Sequence, residues 1–341
     1  MLSDPIYDIG KTYAENAEEG PFFKGEIPKR PKAEKMFDFL GYQVNSPIGV
    51  PAGPLLNSKW IALAGKLGFD IPVYKTIRSE AHPSHALPNV AFVDANGRRT
   101  GRPERSADIS ITNSFGNPSR SPDFLLEDIE RANRSLQKGQ VMVVSVYGTP
   151  KHGMSVGEDF VRTAVMATGA GARIIEANFS CPNIAKGEGI LYNSPETLHE
   201  YARSIARAIH PVPLILKVGL FPDLHLMKSV FLAAARAGVR AMCGINTVSM
   251  KIEPPLDENR KTSGVCGAAI RPAALSFIRD GARIIRENKL DLTLMGCGGI
   301  MLPEHFDEFF EAGAQVAMSA TGMMWDPYLA MRYHARSLSH T

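Results

Sequence analysis

Paired cysteine is missing from this chain. Cys181, Cys243, Cys266 and Cys297 are scattered, and no two stand in a C-x-x-C arrangement. That spacing excludes the usual local metal and dithiol motifs and argues against an iron–sulfur cluster ligated by this chain alone. Scattered thiols in a chain of 341 residues point to a reducing compartment. An excess of one charge sign is missing too. Lys and Arg number 38 against 35 Asp and Glu, so the strong basic bias of a nucleic-acid binder is absent. The basic run KRPKAEK (29–35) reads as solvated surface. No apolar run reaches the roughly 18 residues of a membrane span, and the polar, acidic first twenty residues lack the apolar core of a signal peptide. The expectation is a cytoplasmic protein. No G-x-G-x-x-G follows a strand, so a Rossmann dinucleotide site is not supported.

What is present is an ordinary globular composition, 44% hydrophobic and 21% charged. Short apolar runs alternate with helical patterns. Strands are expected in 46–53, 71–76, 141–148, 172–180, 212–219, 239–247, 292–300 and 314–321. Helices are expected near 58–67, 122–136, 156–168, 194–209, 223–237, 272–288, 303–312 and 327–338. Continuous apolar runs suit parallel strands buried on both faces. Strict β-then-α order implies a parallel sheet, and eight repeats favour a closed (β/α)8 TIM barrel over an open doubly wound sheet. Residues 1–44 read as an N-terminal extension and 45–341 as the barrel. Two long insertions, read as irregular, follow strands two and six; Asn96-Gly97 in the first is a hairpin turn signal. Both lie on the C-terminal face, where such barrels carry their active sites.

Polar groups cluster at the strand ends: Lys75-Thr76, Asn178 with Cys181 and Asn183 just beyond, Lys217, Asn246-Thr247, and the runs GCGG (296–299) and SAT (319–321). A lysine ending a buried strand is costly unless an anion or polar ring meets it. One such lysine would snorkel to solvent; two lysines and three asparagines on one face suggest a site. Gly298-Gly299, Ser319, Thr321 and SGVCGAAIRP (263–272) suit an anion, of a substrate or of a cofactor such as FMN. Cys181, structural if taken alone, is at this face a candidate nucleophile or proton carrier. A phosphate-binding lyase or aldolase with a Schiff base on Lys75 or Lys217, and a non-catalytic barrel subunit, remain alternatives.

Taken together, the residues from Ser46 to Pro327 resemble the dihydroorotate dehydrogenase family, including the related barrel domain of dihydropyrimidine dehydrogenases. NFSCPN (178–183) followed by IAKGEGILYNSPE (184–196) carries the resemblance furthest. The cysteine in that motif is similar to the class 1 enzymes, where class 2 enzymes have serine. The resemblance implies FMN-dependent oxidation of dihydroorotate to orotate in pyrimidine biosynthesis, with Cys181 as base. It implies that Lys75 contacts flavin and substrate, and that Asn113, Ser114, Phe115, Gly116, Asn178, Asn183, Asn246 and Thr247 bind substrate. It assigns FMN to Ala52, Gly53, Lys75, Thr76, Asn178, Lys217, Asn246, Gly267, Gly298, Gly299, Ser319 and Thr321. It also implies a homodimer and an electron acceptor such as fumarate, a quinone or a partner flavoprotein. The residue chemistry agrees: asparagine offers a donor and an acceptor together, as a cyclic amide requires, and a lysine offsets charge developing on a flavin. Phe115, Asn117 and Cys297 depart from the family pattern. The first two bear on the substrate, and another dihydropyrimidine or cyclic amide is the alternative.

Overall fold

The computed structural model describes residues 4–30, 33, 35–180 and 191–337. Eight parallel strands close into a barrel in chain order: β1 (Ile48–Val50), β2 (Ile71–Ile77), β3 (Val143–Val146), β4 (Ile174–Asn178), β5 (Leu214–Lys217), β6 (Ala241–Gly244), β7 (Thr293–Cys297) and β8 (Val316–Met318). A helix follows each strand, from Ser58–Lys66 after β1 to Leu329–Ser337 after β8. The chain therefore has the (β/α)8 architecture its alternation implies. Helix starts follow local chemistry. Asn57, Ser121, Ser155, Ser194 and Asp223 each accept a hydrogen bond from a backbone N–H of the first turn, satisfying donors the helix cannot.

Strand side chains alternate between two faces, and here both faces are used. Tyr74, Val144, Ile175, Leu214, Leu216, Met242 and Leu294 point outward into the layer shared with the helices. Ile71, Val73, Val143, Ile174, Ile215, Ala241, Met295 and Val316 point inward as a separate apolar cluster. The same inward rows become polar two residues further along: Lys75 above Val73, Ser145 above Val143, Glu176 above Ile174, and Lys217 above Ile215. Cys243 and Cys297 continue the rows on β6 and β7. The barrel interior is thus apolar at its base and polar at its C-terminal mouth.

The base is closed by a hairpin, Phe37–Phe39 with Tyr42–Val44. Its Phe39 and Val44 are buried in the inner apolar cluster. The rest of the N-terminal segment carries a helix, Tyr13–Glu19, that the sequence reading did not foresee. Thr12 and Glu15 form a reciprocal capping box at its start.

The two insertions are not irregular, and here the expectation is corrected. They build one antiparallel sheet, Val248–Lys251, Thr262–Gly267, Ser110–Asn113 and Val90–Phe92 in spatial order. Strands from the two insertions pair directly, Gly264 opposite Asn113 and Cys266 opposite Ile111. Such partners lie about 150 residues apart, so no local periodicity announces them. The turn at Asn96-Gly97 forms as expected, with Asp94 and Arg98 hydrogen-bonded across it and Gly97 at φ 79°.

Candidate active site

A cleft of about 1220 Å³, counting its open mouth, lies between the barrel mouth and the insertion sheet. Each barrel strand delivers specific groups to it. On β2 the pairing with β3 shifts register between Tyr74 and Ile77. A bulge of this kind re-aims side chains, and both Lys75 and Thr76 reach the cleft. Thr76 Oγ1 and Ser145 Oγ are 2.9 Å apart. The strand ends supply Glu176 and Asn178 from β4, Lys217 from β5, and Asn246 and Thr247 after β6.

Lys217 is fully within the barrel, 5% exposed. Its Nζ lies 2.9 Å from Cys297 Sγ and 3.4 Å from Cys243 Sγ. Burial acts to neutralise the ammonium, but the two sulfurs and the Glu176 carboxylate outweigh it and hold Lys217 above the usual lysine range. Cys243 is driven well up, first by burial and then by donating to Cys297. Cys297 is brought down to about 6 by the hydrogen bond from Cys243 and by the Lys217 charge, against its own burial. The surroundings of Lys217 thus favour its ammonium form. That disfavours the Schiff-base alternative at this residue, which needs a free amine.

Asn178 and Asn246 form one polar cluster. Asn178 Oδ1 accepts from Ser180 N at 3.2 Å and from Asn246 Nδ2 at 3.4 Å. Asn246 Nδ2 also donates to Ser180 Oγ at 3.0 Å, and its Oδ1 accepts from Thr247 N at 2.8 Å. Both ends of the Asn246 amide are thus engaged, and it braces the turn that follows β4. Cys181, Asn183 and the rest of 181–190 lie outside the described residues.

The opposite wall comes from the loop NSFGN (113–117). Asn113 and Phe115 line the cleft. Phe115 packs edge-on against Tyr7 and Tyr13 of the N-terminal segment, ring centroids 6.1 and 5.9 Å away. Arg78 clamps the loop: Nε donates to Asn117 O at 2.9 Å and Nη2 to Gly116 O at 3.2 Å, while the guanidinium stacks 4.9 Å over Tyr147. The third wall is backbone. Gly298 and Gly299 line the cleft at φ 125° and 83°, a region that strains any side chain. A Cβ on Gly299 would also lie 2.8 Å from the Arg271 backbone nitrogen.

The expected site residues thus gather with few exceptions. Ala52, Gly53, Lys75, Thr76, Asn113, Phe115, Asn178, Lys217, Asn246, Thr247, Gly267, Gly298, Gly299 and Thr321 all line the cleft. Ser114, Gly116 and Ser319 do not. Ser114 Oγ faces His85 Nδ1 at 3.1 Å, and Ser319 Oγ donates to Ile300 O at 2.6 Å. The sequence reading assigned no site role to Tyr7, Asn117, Glu176, Cys266 or Cys297, which also line it. Three atoms on these residues, Tyr7 Oη, Asn117 Nδ2 and Glu176 Oε2, are buried without a hydrogen-bond partner. Buried polar groups are normally satisfied, so three around one cleft point to a polar ligand. Departure from the family pattern flagged Asn117 and Cys297; nothing local flagged Tyr7.

A parallel barrel with cations, carboxamides and exposed backbone amides at its C-terminal mouth defines a TIM-barrel enzyme built for a polar, partly anionic ligand. The family model for dihydroorotate dehydrogenase matches residues 36–340. A dihydroorotate dehydrogenase of Dictyostelium discoideum is 44% identical, with 98% of this chain and 97% of that one aligned. The NAD-dependent dihydropyrimidine dehydrogenase subunit PreA of Escherichia coli K12 is 31% identical over 66% of this chain and 56% of its own. The crystal structure of a DHODH from Eimeria tenella in complex with ferulenol superposes with a TM-score of 0.76 at 18% identity, covering 96% of this chain and 89% of that one; it supports the fold. This chain belongs to the dihydroorotate dehydrogenase family.

Proposed function

We propose that the chain oxidises dihydroorotate to orotate with FMN held in the cleft. The observation that carries this is the convergence of Lys75, Lys217, Asn113 and Asn178 on one cleft that also presents the Gly298-Gly299 backbone. The near full-length likeness to a chain named dihydroorotate dehydrogenase supports it.

The cleft fits FMN on its own chemistry. Gly267, Gly298, Gly299 and Thr321 offer backbone and hydroxyl donors for a phosphate tail. Ile245, Ile270, Ile300, Met301 and Met324 supply apolar wall for a flat ring. Lys217 offers a cation from the floor. FMN, when bound, supplies the acceptor for a hydride and its two electrons.

The chain's own residues do the rest. Asn113 and Asn178 offer amide donors and acceptors to the ring of the substrate. Asn246 fixes Asn178, and Lys75 brings a cation to the same wall. Oxidising the ring removes a hydride from one carbon and a proton from its neighbour. Cys181 takes that proton in this proposal, and Lys217 offsets the negative charge that arrives with the hydride. The electrons leave to fumarate, a quinone or a partner flavoprotein. A homodimer and a cytoplasmic setting belong to the same proposal; no helix among the described residues is long and apolar enough to cross a membrane.

Anaerobic mixing with a panel of dihydropyrimidines tests the reading. The purified protein should be yellow, release FMN on denaturation and bleach with dihydroorotate. Colourless protein that cannot be loaded with FMN overturns it. Bleaching by a different dihydropyrimidine alone keeps the flavin and replaces the substrate.

A further inference from the structure

At the floor of the cleft four titratable groups meet, one from each of four consecutive strands: Glu176 on β4, Lys217 on β5, Cys243 on β6 and Cys297 on β7. Register sets Lys217 directly opposite Cys243, and the long lysine side chain reaches past it to Cys297, one strand further round. Lys217, Glu176 and Cys297 line the cleft. Lys75, on β2, is the other cation in its wall. Cys243 lies wholly within the inner cluster.

We propose that Cys297 is a positioning residue that sets the reduction potential of the bound flavin, its sulfur sharing the Lys217 ammonium with the ring. The inference rests on the FMN reading above. An ammonium close to a bound flavin would favour the reduced, more negative ring. The Cys297 sulfur lies 2.9 Å from the same nitrogen, and as a thiolate it opposes that, because it neutralises part of the charge. Each protonation state of Cys297 has its own partner. The thiol donates to Ile245 O at 3.0 Å; the thiolate accepts from Lys217 and Cys243. Cys243 stays a neutral donor, since burial raises it. Glu176 adds negative charge on the far side of Lys217, so the sulfur decides how much of the ammonium remains for the flavin. The sign follows. With the thiolate present the flavin is harder to reduce. Protonating or deleting the sulfur frees the ammonium and makes it easier.

The test is the midpoint potential of the bound FMN, measured by anaerobic spectroelectrochemistry with dithionite, in wild type, C297S and C297A across a pH series. Above about pH 6 the variants should favour reduced flavin at least tenfold more than wild type does, a shift of about +30 mV for a two-electron couple. Below it the difference should close, because the wild-type thiol is then protonated. Equal potentials throughout, or a negative shift in the variants, overturn the proposal. A second measurement needs no flavin. The ultraviolet thiolate absorbance of the wild-type protein should rise through a step near pH 6 that is lost in C297S and displaced upward in Cys243→Ala and Lys217→Met. Absence of that step overturns the ion pair. A protein that shows the step but binds no FMN refutes the functional reading and, with it, the role assigned to Cys297. Because dithionite replaces substrate, a wrong substrate leaves this experiment unaffected.

Discussion

Asn117 holds Lys75 Nζ through its Oδ1 at 3.4 Å and buries its own Nδ2 without a partner. A buried donor left unmade costs about 1–3 kcal/mol, and a substrate acceptor relieves that cost. The side chain can point there because the backbone is left-handed, φ 52°, a conformation asparagine tolerates better than most residues. Asn117→Gly keeps that backbone accessible and removes only the amide. We expect dihydroorotate to bind about three- to tenfold more weakly, the equivalent of one hydrogen bond, with FMN affinity unchanged. Titrating substrate against the flavin spectrum checks this; an unaltered substrate affinity would remove Asn117 from the recognition set.

The elements around the cleft are tied together by side chains at their ends. Arg78, just past β2, holds the loop that carries Asn113 and Phe115 through two loop carbonyls, and reaches Thr149 Oγ1 beyond β3 at 2.8 Å. A planar fork makes these bonds together; an ammonium cannot. Arg78→Lys should therefore loosen substrate binding by about tenfold, roughly one to two hydrogen bonds, while FMN, held from the far wall, stays bound. Parallel measurement of the two dissociation constants separates a loop defect from a general one. At the other end of the barrel, Arg30 of the N-terminal segment makes a bidentate pair with Asp70, at 2.5 and 2.6 Å. Asp70 is fully buried and also accepts from Ser46 and Gln140. Arg30→Ala leaves that carboxylate without its counter-charge, a loss of about 3 kcal/mol, the low end for a broken buried pair because two donors remain. A lowered urea midpoint at unchanged slope is the expected signature; an unchanged midpoint would show that the pair contributes nothing net.

On the scale of the whole molecule, the cleft joins parts distant in sequence: the N-terminal segment through Tyr7, the insertion sheet through Asn113 and Cys266, and the barrel mouth. A ligand that fills it stabilises all three against unfolding. FMN at about a hundredfold above its dissociation constant should add about 2.7 kcal/mol, or roughly 4 °C in melting temperature for a chain of 341 residues. Thermal scans of the protein with and without added FMN test this. No upward shift would mean that the cleft does not hold the cofactor in the folded state.

Much of this was legible beforehand because it is local. Apolar runs such as the β-branched VMVVSVYG (141–148) and LILK in β5 gave strands, and their strict alternation with amphipathic helices gave the barrel. Lysine and asparagine at strand ends gave the cleft. The T-x-x-E pattern from Thr12 to Glu15 is likewise a local mark of the N-terminal helix. What could not be read is set by pairs far apart in the chain. Asn113 meets Gly264 across the insertion sheet; Phe115 meets Tyr7; Lys217 meets Cys297 only because three neighbouring strands twist side by side into one ring. Sequence alone determined the barrel, its order and the chemical character of its mouth, since periodicity and residue type act over a few residues. Only tertiary structure decided which of those groups touch, and so turned Cys297 from an oddity in a glycine turn into the partner of a buried lysine.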